Sequence, residues 1–135
     1  MHLELTTKQF RRLLDLAYIG NWVLNSTRGD DRIREYDETE SHLFSQCAAK
    51  GMAALAEVFQ NETVPSKAFV EGGIHEAILD YEYTVFYEIL AEELARRDMQ
   101  AEALDENDED ELNERISDYI AEFERNGTDN IILNP

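Results

Sequence analysis

Apolar residues recur at three- and four-residue spacing along most of this 135-residue chain, and proline occurs only at positions 65 and 135. That spacing predicts an all-α fold. There is no alternating strand pattern of useful length, no internal repeat and no glycine- or proline-rich linker.

The first predicted helix covers residues 6–25. Thr6 and Gln9 stand in capping-box register, and Leu5 and Phe10 are spaced for a hydrophobic staple. Phe10, Leu13, Leu14, Ala17 and Leu24 share one face, which Leu16, Ile19 and Val23 widen and Tyr18 and Trp22 extend. A second helix is expected over residues 31–60, with Ile33, Tyr36, Phe44, Cys47, Gly51, Ala54, Leu55 and Val58 along one side. Residues 61–65 form a break. A third helix, over residues 67–98, is weakened or interrupted at Gly72-Gly73, and a fourth covers residues 107–126. On the fourth, Leu112, Ile116, Tyr119, Ile120 and Phe123 face inward, and Asn126-Gly127 is a helix stop. The tail, residues 127–135, carries Ile131, Ile132 and Leu133, an apolar patch expected to dock on the helices or on a partner. Together these elements predict a single all-α domain over residues 1–135, an antiparallel four-helix bundle. The wide apolar arcs of the first and third helices, with Tyr81, Tyr83 and Tyr87, predict a homodimer.

Composition supports a folded chain, because a hydrophobic share of 43% lies well above the disordered regime. The lone Cys47 sits among apolar neighbours and reads as a buried residue in a reducing compartment. The N-terminal residues lack a basic leader followed by an apolar segment, and Asp15 and Asn21 interrupt the most apolar stretch. The expectation is a cytoplasmic protein with no membrane partner.

Charge changes this picture more than composition does. Residues 1–70 hold ten acids and eight bases, whereas residues 71–135 hold twenty acids and only Arg96, Arg97, Arg115 and Arg125. Residues 98–114 contain nine carboxylates and no base: Asp98, Glu102, Asp105, Glu106, Asp108, Glu109, Asp110, Glu111 and Glu114. A field of this sign opposes direct nucleic-acid binding and attracts basic surfaces. These nine residues are therefore the candidate partner-binding site, and rows of carboxylates on helices can imitate a phosphate backbone. Acids in the first turn of the fourth helix also suit its dipole. That does not account for Asp98, Glu102 or Glu114. A high-salt habitat would spread acid over the whole surface, and the near-neutral first half opposes that explanation.

Candidate chemistry is sparse. Glu82 and Glu93 fall inside the apolar arc of the third helix, and Glu40 lies between Tyr36 and Leu43/Phe44 on the second. A carboxylate so placed carries a raised pKa or finds a partner such as Arg11, Arg12 or Arg34. Facing carboxylates hold metals in helical bundles, so a Glu40/Glu82 pair is the sharpest catalytic idea, although Glu-x-x-His occurs nowhere. Glu71/His75 and Glu38/His42 supply only two ligands each. Threaded as a calcium loop from Asp105, the sequence places Asp110 where glycine is needed and Ile116 where glutamate is needed. No metal or cofactor is called for, and the common hydrolase and nucleotide-binding signatures are absent. Three functions follow: a non-enzymatic acidic protein that binds a basic partner, a metal-dependent or acid–base enzyme using Glu40 and Glu82, and a stable acidic helical protein with no site of its own.

Overall fold

The computed structural model describes residues 1–133. They are mostly helical, with one two-stranded sheet, and the chain divides into two compact units, Met1–Ile78 and Leu79–Pro135.

The first unit opens on α1 (Thr7–Asn25) through the expected capping box. The Gln9 amide donates to Thr6 Oγ1 at 3.1 Å, and the Thr6 amide donates to Gln9 Oε1 at 2.9 Å. Two of the helix's orphan donors are thereby satisfied. Phe10 and Leu14 are buried, whereas Leu16 and Val23 face solvent. Asn21 and Asn25 are buried as well, which apolar patterning alone does not anticipate. The Asn25 amide nitrogen donates to Asn21 Oδ1 and to the Ile33 carbonyl, and its oxygen accepts from the Ile33 amide. One side chain thus pins the end of α1 to the loop that leads into α2 (Arg34–Phe44).

The expected helix over residues 31–60 is the main correction. It ends at Phe44, and two short 3₁₀ turns carry the chain to a hairpin of β1 (Ala56–Phe59) and β2 (Glu62–Pro65). Gly51 does not line a helix face; it adopts φ 74°, a left-handed conformation that closes the first of those turns. Ala54 and Val58 are exposed. The strands pair antiparallel, Ala56 opposite Pro65 and Phe59 opposite Glu62. Gln60 and Asn61, with φ of 50° and 64°, form the two-residue loop. Positive φ at both positions is what a type I′ turn demands, and its twist matches the strands it joins.

Ser66 then ties the second 3₁₀ turn to the next helix. Its hydroxyl donates to the Ala54 carbonyl at 2.6 Å and caps α3 (Lys67–Phe69) by accepting from the Phe69 amide. The break at Gly72-Gly73 is real. Residues Val70–Ile74 make a wide turn in which Gly73 takes φ 109°, outside the reach of ordinary L-residues, and α4 (His75–Ala101) starts afresh. Phe10, Leu14, Phe44, Cys47 and Phe69 form the core of this unit, flanked by Tyr18, Leu55 and Ile74.

In the second unit α5 (Glu109–Asn126) packs along the later turns of α4. Ala95, Met99 and Leu112 are buried together with Ile116 and Tyr119 against them, and Phe123 is buried too. Gly127, at φ 56°, ends α5. In the tail Ile131 is half-buried, whereas Ile132 and Leu133 are exposed. Residues 134 and 135 lie outside the described residues. Leu79, Tyr81, Tyr83, Phe86 and Ile89 of α4 are also exposed. Among the described residues no helix is long and apolar enough to cross a membrane.

Candidate functional site

The nine candidate carboxylates all belong to the second unit, on α4, α5 and the connection between them. The structure sorts them into two groups. Three are tied to arginines. Arg97 donates to Asp98 at 2.8 Å, and Tyr119 donates a second hydrogen bond to the same carboxylate. Arg115 holds Glu102 through both carboxylate oxygens, at 3.0 and 2.6 Å, and reaches Glu111 at 2.6 Å. This guanidinium clips the end of α4 to the start of α5.

Titration behaviour follows from the contacts. Burial pushes the Asp98 carboxyl up, but the hydrogen bonds from Tyr119 and Arg97 outweigh it and its pKa falls. Hydrogen bonds from Arg115 hold the Glu102 carboxyl below its ordinary value.

The other six have no ion-pair partner among the described residues. Asp108 caps α5, its Oδ1 accepting from the Glu111 amide at 3.1 Å, and Asp105 accepts from the Asn107 amide at 2.9 Å. Glu106 accepts from the Gln100 side chain at 2.8 Å. Glu109, Asp110 and Glu114 are exposed and have no basic partner among the described residues. The remaining arginines are also engaged, Arg96 with Glu92 and Arg125 with Glu122. No base in this unit is left to neutralise the outer carboxylates.

The Glu40/Glu82 pair meets a different fate. Glu82 is exposed on α4, because the apolar arc around it is itself open to solvent at Leu79, Tyr83 and Phe86. Glu40 is half-buried on α2 and lines a cavity of about 290 Å³ with Tyr18, Asn21, Trp22, Ser26 and Arg32. Loss of solvent raises its pKa from 4.5 to about 7, opposed mainly by the Asn21 amide. The like charge of Asp37 adds to the rise, and Arg32 counters it. Arg32 is held away in a two-pronged bond to Asp37, at 2.6 and 2.7 Å, while Arg11 and Arg12 both pair with Asp15. Of the partners expected for Glu40, Arg11 and Arg12 are thus engaged elsewhere.

His75 does not pair with Glu71. Its Nε2 lies 2.6 Å from the Tyr18 hydroxyl, Trp22 stands edge-to-face with its ring at 4.8 Å, and Glu71 faces Lys67 instead. His42 is exposed beside Glu38 in a wide polar cavity of about 720 Å³ on α2. Among the described residues no three His, Cys, Asp or Glu side chains converge as metal ligands would.

The periodicity of α2 was enough to single out Glu40. It could not show the Asn21–Asp37–Arg32 network, whose members come from α1, the loop and α2. The Arg115 clip left a partial signal, since Glu111 and Arg115 are four residues apart on one helix. No protein-family model, curated protein or solved structure matches the chain.

Proposed function

We propose that this is a non-enzymatic acidic helical protein that binds a basic partner protein through its second unit, its outer carboxylates imitating the charge of a nucleic-acid backbone. One observation carries the reading. All four arginines between residues 79 and 135 are paired with acids of the same unit, so Glu109, Asp110 and Glu114 have no counter-charge from their own unit among the described residues. Basic side chains from outside complete them. The exposed apolar positions Leu16 and Val23 on α1, and Leu79, Phe86 and Ile89 on α4, support association of two copies.

The test is fluorescence anisotropy with an arginine-rich peptide across a salt series. Binding should weaken steeply between about 50 and 300 mM salt, as the Debye length falls below roughly 10 Å. The triple change Glu109→Gln, Asp110→Asn, Glu114→Gln should flatten that dependence. Absence of binding at low salt, or binding indifferent to salt, would sink the proposal.

A second reading rests on Glu40 alone. A carboxyl with a pKa of about 7 in a cavity beside Tyr18 and Arg32 can hold or release a proton near neutrality, as an acid–base enzyme requires. Glu82, the other carboxylate of the expected pair, is exposed on α4.

A further inference from the structure

We propose that the groove between α4 and α5 receives an arginine or lysine side chain of the basic partner. The inference deepens the acidic-interaction reading and rests on it.

The groove has a volume of about 370 Å³ and is walled by Tyr83 and Tyr87 from α4 and by Ile120 and Phe123 from α5, with Thr84, Glu88 and Glu124 completing the lining. Its three aromatic rings meet at angles. Tyr83 and Tyr87 are 5.0 Å apart between centroids at 71°, and Tyr87 and Phe123 are 5.3 Å apart at 39°. Rings so arranged present their faces in more than one direction, and each face carries the negative lobe of the ring quadrupole.

The two carboxylates decide what fits. Glu92, one turn beyond Glu88, is paired with Arg96, and Glu122, beside Glu124 in sequence, faces Arg125. Glu88 and Glu124 have no such partner among the described residues, and no base lines the groove. An aliphatic occupant would strip water from both carboxylates and return nothing. An anion would be repelled by them. A cationic side chain satisfies both features, because its stem packs on Ile120 and Phe123 while its head meets ring faces and carboxylate oxygens. Tyr83 is 67% exposed, so the groove is open to such a group.

The experiment titrates the full chain against a fluorescein-labelled peptide of alternating arginine and glycine, at about 50 and 300 mM salt. Tyr83→Leu keeps every charge and should weaken binding roughly three- to tenfold at both salt concentrations. Tyr83→Phe keeps the ring and should stay within about twofold of the unchanged protein. The pair Glu88→Gln, Glu124→Gln should weaken binding at low salt and shrink the difference between the two conditions. If the unchanged protein binds and Tyr83→Leu binds equally well, the groove assignment is overturned while the acidic reading stands. Failure of the unchanged protein to bind at low salt overturns both. A Tyr83→Leu effect on sedimentation with none on peptide affinity would make the groove a contact between copies of this chain and also overturn the assignment.

Discussion

Replacing Glu40 with glutamine should stabilise the protein, and only above mildly acidic pH. In the unfolded chain this carboxyl ionises near 4.5, whereas in the folded state it holds its proton to about 7. Between those values the folded state binds the extra proton, so stability falls as pH rises through the window. Below it the carboxyl is neutral in both states and costs nothing. Above it the full penalty applies. A displacement of this size corresponds to about 3 kcal/mol for a group wholly cut off from water. Glu40 keeps access to solvent through its cavity, and screening there brings the expected penalty to about 1–2 kcal/mol. Glutamine preserves shape and can still accept from Asn21. Urea unfolding of both proteins should therefore coincide at pH 4 and separate by about 1–2 kcal/mol at pH 8, with Glu40→Gln the more stable. Equal stability at both pH values would refute the reasoning, and so would a loss of stability at pH 8. A carbon-detected titration of the side-chain carboxyl supplies an independent check.

Three further substitutions test how the first unit is held together. Gly73→Ala places a β-carbon on backbone at φ 109° and should cost about 1–3 kcal/mol, read as a lower urea midpoint. The neighbouring Gly72→Ala, at φ −83°, should cost about 1 kcal/mol or less, so similar losses at both sites would argue against the wide turn. Asn25→Ala leaves the Ile33 amide and carbonyl without the partner that joins them to α1, and about 2–4 kcal/mol should be lost. Hydrogen exchange at Ile33 should rise in that variant and not at Leu14.

The parts of this fold that were legible in the sequence are those decided locally. Thr6 and Gln9 need only one another to form their box, and Asp108 needs only the amide of Glu111 three residues on. The helix expected over residues 31–60 failed for the opposite reason. Residues 45–55 are rich in alanine and read as helical, yet Ser66 fixes the Ala54 carbonyl and the hairpin takes the chain beyond it. The turn that makes the hairpin is Gln60-Asn61, without the glycine that ordinarily signals such a loop. Glu40 was legible as an acid on an apolar face. Its cavity was not, because Tyr18 and Asn21 reach it from α1, and Tyr18 also bonds to His75, fifty-seven residues away in sequence. The acidic corner was legible as charge. Its division into arginine-tied and open carboxylates was not, since Arg115 reaches Glu102 across thirteen residues.

The internal engagement of every arginine in the second unit has a further consequence for behaviour in solution. Between residues 79 and 135, eighteen acids stand against those four bases, so two copies approaching one another meet the same sign of field. Added salt screens that repulsion, and in the proposed dimer it would favour pairing of copies through their apolar positions. The same salt weakens attraction to a basic partner. On the proposed function, ionic strength would therefore select between the two associations: dilute buffer would favour the mixed complex, and concentrated salt the pairing of copies.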